Sequence, residues 1–193
     1  MTTEESITLS VAEALEACGI PFLLSGSFAS NYYGIPRSTR DADFVLQTPG
    51  AVGQDVAKRL GNDFVFDPQL SFETNTGTFR EELRHKKSAF KVELFLLSQD
   101  PHDQSRFARR REVRLHQRRL WLPSPEDVVV TKLRWARGKD KEDARDVMAV
   151  QRDTLDWAYI ERWCREHGTL AALQEVRAAL PAVGASAASG KGN

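Results

Sequence analysis

The chain has few of the residues that bind zinc or form disulfide bonds: its 193 residues include two cysteines and four histidines. Cys18 and Cys164 lie far apart in the sequence and match no ligand spacing, which predicts free thiols in a reducing cytoplasm. No two histidines have the spacing of a metal-binding pair, so we expect no zinc site. These low counts argue against a disulfide-stabilised secreted protein and against a zinc protein.

Long apolar runs are also missing from the sequence. No stretch approaches the roughly 20 apolar residues that a membrane-spanning helix needs. The first residues lack a basic segment followed by an apolar one. With 41% hydrophobic residues, 28% charged residues and a formal net charge of zero, the composition is that of an ordinary globular chain. These features predict a cytoplasmic protein without a membrane partner.

Hydrophobic periodicity predicts an α+β protein. Helices are predicted at residues 4–18, 28–33, 52–60, 125–137, 139–150, 154–167 and 169–180. Strands are predicted at residues 20–24, 41–46, 64–66, 73–84 and 89–97, with a hairpin at 110–122. Because short turns join several of these strands, we expect a mixed, mostly antiparallel sheet flanked by helices.

The order of these segments predicts two parts and a tail. Residues 1–122 form a core that contains the sheet, residues 123–180 form a C-terminal helical subdomain, and residues 181–193 form a disordered tail. The second part opens with Ser-Pro-Glu-Asp at 124–127, a helix-start signal with an N-cap, a proline in the first turn and acids that the helix dipole favours. The tail is rich in Ala, Gly and Ser, which predicts disorder.

Two aspartates, Asp41 and Asp43, open the predicted strand that continues as Phe44-Val45-Leu46. Side chains alternate faces along a strand, so these two carboxylates project on the same side at short distance. Carboxylates held so close repel each other, and a divalent cation is the usual way to keep both ionised at neutral pH. The alternative is a pair of turn aspartates that face water.

Gly26 and Ser27 lie between the first predicted strand and the helix predicted at 28–33. Glycine lets the backbone come close to a ligand, and the amides that open the helix, with the Ser27 hydroxyl, make an anion site the size of a phosphate. An anion site beside a metal site is what a nucleoside triphosphate (NTP) with magnesium requires. The alternative is a simple turn.

A third acid, Glu93, is embedded in the apolar strand Lys91–Leu97. Burying a glutamate is costly unless it pairs with a cation or binds a metal. If this strand lies beside the one that carries Asp41 and Asp43, Glu93 completes a carboxylate triad. The alternative is a structural salt bridge with a nearby arginine.

The ordered set of Gly26-Ser27, Asp41/Asp43 and Glu93 resembles the motifs of the nucleotidyltransferase superfamily, which has the fold of DNA polymerase beta. Members carry a Gly-Gly or Gly-Ser turn, an Asp-x-Asp or Asp-x-Glu pair, and a later acid, more commonly Asp, on a neighbouring strand. The stretches 26–43 and 124–147 are also similar to the bacterial group that includes the AbiEii-type toxins. The resemblance covers most of residues 20–165.

This resemblance implies a magnesium-dependent nucleotidyltransferase that moves a nucleoside monophosphate group from an NTP to a hydroxyl acceptor. It implies that two Mg²⁺ ions are held by three catalytic acids: Asp41, Asp43 and Glu93. It also implies that the nucleotide contacts five further residues: Gly26, Ser27, Arg37, Lys132 and Asp143.

The identity of the acceptor stays open in the sequence. Residues 106–119 contain seven arginines and one acid, a pattern that fits a solvated face and a polyanion-binding surface equally well. Three acceptors are compatible with it: tRNA or another RNA, an antitoxin protein, and a small molecule such as an antibiotic. Two alternatives without catalysis are a nucleotide- or RNA-binding module that kept the fold, and an interaction protein whose arginine face docks a partner.

Overall fold

Eight helices and seven strands form along residues 2–74 and 77–180, which are the residues that the computed structural model describes. The helices are α1 (Thr3–Ala17), α2 (Gly26–Tyr33), α3 (Gly53–Leu60), α4 (Pro101–Ala108), α5 (Pro125–Trp135), α6 (Gly138–Gln151), α7 (Trp157–Glu166) and α8 (Leu170–Ala178). The strands are β1 (Phe22–Leu24), β2 (Asp41–Leu46), β3 (Phe64–Glu73), β4 (Thr78–His85), β5 (Lys91–Leu96), β6 (Arg111–Leu115) and β7 (Arg118–Leu122).

Five strands form one sheet in the order β1-β2-β5-β4-β3, and β6 pairs with β7 in a separate hairpin. Strands β2 and β5 run parallel, whereas every other pair of neighbours in the described sheet is antiparallel. The connection from β2 to β5 passes through α3 and the β3–β4 hairpin, which gives the chain the length it needs to return in the same direction. The predicted mixed, mostly antiparallel sheet flanked by helices is confirmed.

The two faces of the five-stranded sheet differ in character. Paired residues such as Phe44 and Leu94 project onto one face, where they join the main hydrophobic core with helix residues such as Leu9 and Val56. The residues between them project onto the opposite face, because side chains alternate along a strand. That opposite face holds a small apolar cluster and the acids of β2 and β5. We call it the polar face.

Helix α5 begins where the sequence predicts. The hydroxyl oxygen of Ser124 accepts a hydrogen bond from the amide of Asp127, and Pro125 occupies the first turn. The completely buried carboxylate of Asp127 contacts His102 of α4 at 3.2 Å and accepts a hydrogen bond from the Tyr159 hydroxyl of α7 at 2.6 Å. This carboxylate therefore ties α5 to both neighbouring helices.

The predicted strand boundaries in the β3–β4 region are wrong. The sequence predicts separate strands at 64–66 and 73–84, but Glu73 ends a ten-residue strand, β3, that continues past Pro68. Pro68 lies in an edge strand and in a gap of the pairing with β4, between Asp67 and Ser71, where a residue without an N–H is tolerated. The register with β4 also shifts beside the proline, so the strand bends there without ending.

Helix α4 has no counterpart among the predicted elements. Its start is well marked, because the Asp100 carboxylate accepts hydrogen bonds from the amides of His102 and Asp103 at 2.9 and 3.1 Å, with Pro101 at the first position. The helix has only eight residues, and Phe107 is its one large apolar residue. With a single large apolar residue the helix shows no apolar periodicity, so the Asp-Pro cap is the only sequence signal that indicates it.

Two further predictions concern the ends and parts of the chain. The predicted tail, residues 181–193, lies outside the described residues, and the boundary between residues 122 and 123 stays a prediction. None of the described helices combines the length and the apolar character that crossing a membrane requires.

Candidate active site

The predicted carboxylates meet on the polar face of the sheet. Asp43 of β2 is directly paired with Glu93 of β5, and Asp41 lies two residues earlier on the same face of β2. This pairing confirms that Glu93 lies on the strand beside the two aspartates. Three acidic side chains from two strands thus project into one region of the molecule.

Crowding opposes the simultaneous ionisation of these acids. Burial, reinforced by the negative charges of Asp41 and Glu93, raises the pKa of Asp43 to about 7. Burial also raises the pKa of Glu93, although the positive charge of Arg80 opposes that shift. A cation bound beside them would relieve the repulsion that this arrangement creates.

The oxygen donors of these acids suit Mg²⁺, which prefers hard oxygen ligands. Within the described residues, however, no three acidic, histidine or cysteine side chains are already grouped as metal ligands would be. Glu93 instead forms an ion pair with Arg80, with Oε1 2.7 Å from Nη1. The predicted triad is therefore not preformed, and the salt bridge that the sequence left as the alternative is present. Arg80 engages Oε1 of Glu93, so Oε2 is the oxygen that could join Asp41 and Asp43 at a metal while this ion pair stays in place.

Gly26 stands where the backbone of α2 approaches Asp43. Its φ is +59°, and a Cβ at this position would lie 1.9 Å from Oδ2 of Asp43. Any other residue would be strained and would displace the carboxylate. Helix α2 begins two residues before the predicted helix, so Gly26 and Ser27 form its first turn. Their amides lie at the positive end of the helix dipole, where anions bind.

Ser27, Arg37, Lys132 and Asp143 form one continuous network of contacts. Arg37 donates two hydrogen bonds to the Asp143 carboxylate, at 2.6 and 2.8 Å, and one to the Ser27 hydroxyl at 3.1 Å. The Nζ of Lys132 lies 2.6 Å from the same carboxylate, and Lys132 is only 7% exposed. Burial raises the pKa of Asp143, but the hydrogen bonds from Arg37 and Lys132 outweigh it and hold that pKa below its usual value.

Asp140 and Arg137 extend this network, although the sequence did not single them out as site residues. Lys132 Nζ lies 3.3 Å from one oxygen of Asp140, and Arg137 Nε lies 2.5 Å from the other. Asp140 is completely buried. It precedes Asp143 by three residues, a spacing that places both carboxylates on one side of α6. That spacing is the sequence signal for Asp140.

A cleft opens between the polar face of the sheet and helices α4 and α5. Six of the eight predicted site residues line it: Gly26, Ser27, Asp41, Asp43, Glu93 and Lys132. The other two, Arg37 and Asp143, contact Ser27 and Lys132 from outside this lining. The remaining lining includes cationic and apolar side chains, among them Arg80, Arg106, Arg137, Val45, Phe95 and Val128.

The arginines of the β6–β7 hairpin are largely balanced by acids. Arg118 and Arg119 pair with Glu13 and Glu16 of α1, at 3.0 and 2.9 Å. Two further arginines of the arginine-rich segment lie within ion-pair distance of Glu126 in α5. These contacts favour a structural interpretation of the segment over a free polyanion-binding surface.

The same fold occurs in solved structures of nucleotidyltransferases. An antigenic nucleotidyltransferase-like protein from Paracoccidioides brasiliensis matches with a TM-score of 0.58 and 16% identity, over 93% of this chain and 94% of that one. The antibiotic-resistance factor ANT(2'')-Ia, in complex with adenylyl-2''-tobramycin, matches with a TM-score of 0.59 and 12% identity, over 87% of this chain and 98% of that one. The lincomycin-bound lincosamide antibiotic adenylyltransferase LnuA matches with a TM-score of 0.50 and 14% identity, over 78% and 98%.

A scan against protein-family models and a search of curated proteins gave no match. The more specific resemblance to the AbiEii-type toxins therefore stays a prediction. At identities of 12–16%, the structural similarity concerns the fold and not the substrate. This chain has the α+β fold of the nucleotidyltransferases.

Proposed function

We propose that this protein is a magnesium-dependent nucleotidyltransferase, which moves a nucleoside monophosphate group from an NTP to a hydroxyl acceptor. One observation carries the proposal: the paired Asp43 and Glu93, with Asp41 beside them, lie against the glycine that opens α2. Crowded carboxylates attract divalent cations, and the amides of a helix N-terminus attract phosphate. A complex of metal and triphosphate satisfies both groups at once.

Different residues of the cleft would bind the metal ions and the phosphates of the substrate. Two Mg²⁺ ions bound by Asp41, Asp43 and Glu93 would polarise the α-phosphate and stabilise the departing pyrophosphate. The amides of Gly26 and Ser27 hold the β- and γ-phosphates at the N-terminus of α2.

The transfer itself needs a proton acceptor and cations near the leaving group. The acceptor oxygen bonds to the α-phosphorus while the bond to the bridging oxygen of pyrophosphate breaks, and the hydroxyl proton passes to Glu93. Arg37 and Lys132 balance the charge on the departing pyrophosphate. Their shared partner, Asp143, holds the two cations at a fixed separation.

We favour a small molecule as the acceptor. Four of the seven arginines in the arginine-rich segment lie within ion-pair distance of Glu13, Glu16 or Glu126, which reduces the positive potential that the segment offers to a polyanion. Two solved proteins with this fold carry antibiotic ligands, adenylyl-2''-tobramycin and lincomycin. The competing acceptors are tRNA or another RNA, and an antitoxin protein of the kind that an AbiEii-type toxin would accompany.

Incubation with α-labelled NTPs, Mg²⁺ and separate pools of aminoglycosides, lincosamides, RNA and cell protein tests this function. We expect label on a small-molecule acceptor and no transfer by the Asp41→Ala/Asp43→Ala double variant. Label on RNA or protein would show that the acceptor is not a small molecule, but the protein would still be a nucleotidyltransferase. Tight NTP binding without transfer to any pool would instead indicate a nucleotide-binding module. If the protein neither binds NTP nor transfers label, the interaction protein is the alternative that remains.

A further inference from the structure

Helix α4, which periodicity did not predict, brings a buried arginine to the cleft. Arg106 is 4% exposed and lines the cleft together with Ser25, Gly26 and Asp43. Its Nη1 donates a hydrogen bond to the Ser25 hydroxyl at 3.3 Å. Ser25 is the N-cap residue of α2, yet its side chain makes no capping hydrogen bond. The guanidinium therefore lies beside the amides that open α2.

The hydrogen-bonding capacity of this guanidinium is only partly used. Arg106 Nε lies 2.9 Å from Oδ1 of Asp103, but its N–H is not aligned for a hydrogen bond to any described residue. The other oxygen of Asp103 is taken by the Ser98 hydroxyl at 2.5 Å. An arginine presents five N–H donors in a rigid fork, and a buried donor without a partner is destabilising. A buried arginine with spare donors at an anion site points to an anionic ligand.

We propose that Arg106 binds the triphosphate of the NTP at the N-terminus of α2. This inference rests on the nucleotidyl transfer proposed above and adds to it a binding residue from a helix outside the sequence motifs. A guanidinium fork matches two phosphate oxygens at once, which an ammonium group does not. The alternative is a purely structural arginine that ties α4 to the turn between β1 and α2.

The neighbouring Arg109 offers a matched control. It lies three residues further along the chain, at the end of α4, and its guanidinium stacks 3.9 Å from the centre of the Tyr159 ring. Its Nε lies 3.5 Å from the Asp127 carboxylate, and Arg109 does not line the cleft. Replacing Arg109 removes the same charge and also disturbs the packing of α4. It leaves the anion site untouched.

Calorimetric titration with inorganic tripolyphosphate tests the proposal, because this probe requires no knowledge of the preferred base. We expect Arg106→Met to weaken tripolyphosphate binding at least about tenfold, since a charge-assisted contact is lost. Arg106→Lys is expected to recover part of the affinity, because it keeps the charge and loses the fork. Arg109→Met is expected to bind within about twofold of the unaltered protein, whatever it does to thermal stability.

An NMR titration keeps the proposal testable if Arg106→Met does not fold. The Nε–H resonance of Arg106, identified by its absence from the spectrum of Arg106→Lys, is expected to shift when tripolyphosphate binds the unaltered protein. Three results would overturn the role of Arg106. The Nε–H resonance does not move when tripolyphosphate binds, a folded Arg106 variant keeps its affinity for tripolyphosphate, or the Arg106 and Arg109 variants lose equal affinity. If the protein binds NTP but Arg106 gives one of these negative results, the proposed function stands and only the role of Arg106 is rejected. If the protein binds neither NTP nor tripolyphosphate, both the proposed function and the role of Arg106 are rejected.

Discussion

A Cβ on Gly26 would lie 1.9 Å from Oδ2 of Asp43, so the turn that we propose to bind phosphate and the carboxylate that we propose to bind metal are in immediate contact. The backbone fixes the same approach, because the amide of Ser25 donates to the carbonyl oxygen of Asp43 at 2.8 Å. The first turn of α2 and the start of β2 are thereby held together. The proposed chemistry depends on this contact, since one triphosphate has to reach the helix amides and the carboxylates at the same time.

The substitution Gly26→Ala tests this contact. We expect it to lower the free energy of unfolding by about 2–3 kcal/mol, because a positive φ and a displaced carboxylate both add strain. Nucleotidyl transfer is expected to be lost. Gly61→Ala is the control, because Gly61 also has a positive φ, +79°, but its Cβ would meet no atom within 4 Å. The control is expected to cost about 1 kcal/mol and to keep activity. If Gly26→Ala and Gly61→Ala have similar effects on urea unfolding and on nucleotidyl transfer, the contact between Gly26 and Asp43 is not important.

The substitution Asp43→Asn is expected to stabilise the metal-free protein while it removes activity. Burial and the negative charges of two neighbouring acids oppose the ionised Asp43, so an amide there should raise the free energy of unfolding by about 1 kcal/mol. Transfer is expected to fall at least about a hundredfold, because a metal ligand is lost. Thermal unfolding with and without Mg²⁺ provides the check: Mg²⁺ should stabilise the unaltered protein and not the variant. A variant that Mg²⁺ stabilises equally would place the metal elsewhere.

The substitution Asp143→Asn tests the network behind the cleft. Asp143 accepts from Arg37 and Lys132, and Lys132 and Asp143 are both nearly buried. Removing the shared anion is expected to destabilise the protein by about 3 kcal/mol and to raise the KM for NTP more than it lowers kcat. Asp146→Asn is the control, because Asp146 pairs with its exposed neighbour Arg145, and we expect a change within about 0.5 kcal/mol. If chemical unfolding shows that Asp143→Asn and Asp146→Asn destabilise the protein equally, the network around Asp143 has no special role.

Stability is expected to fall in acid partly through Asp127. Burial raises the pKa of Asp127, but hydrogen bonds from His102, Tyr159 and Ser124 outweigh burial and leave that pKa below its usual value. The unfolded chain therefore binds the proton more tightly than the folded protein does. The stability that Asp127 contributes is complete above the unfolded pKa of about 3.9 and is lost as the pH falls through the lower folded pKa. Urea unfolding between pH 3 and pH 7 should show a shallower acid loss for Asp127→Asn, and a parallel profile would exclude this contribution.

Local rules predicted the parts of the site that depend on neighbours in sequence. Strand alternation placed Asp41 and Asp43 on one face, and the glycine before a helix indicated the close backbone approach that the structure shows at Gly26. The cap at Ser124 fixed the start of α5. The adjacency of Glu93 to Asp43 is a tertiary fact, and it followed from the resemblance to a known fold and not from spacing.

The residues that sequence reasoning misjudged or left open are those whose environment is set by distant packing. Arg106 belongs to an arginine-rich run and suggests a solvated face, yet the packing of α4 against the turn at Ser25 buries it. The sequence left two interpretations of Glu93 open, and its ion pair with Arg80 depends on the register of β4 beside β5. The gap predicted between the strands at 64–66 and 73–84 falls inside β3, because the edge position of that strand cannot be known in advance.

The most direct test of the central claim is a crystal structure with Mn²⁺ and a nonhydrolysable NTP analogue, measured at the anomalous edge of manganese. We expect anomalous peaks bonded to oxygens of Asp41 and Asp43, an oxygen of Glu93 directed at the metal, and a triphosphate on the amides of Gly26 and Ser27. A nucleotide bound outside the cleft, or manganese peaks away from both aspartates, would contradict it.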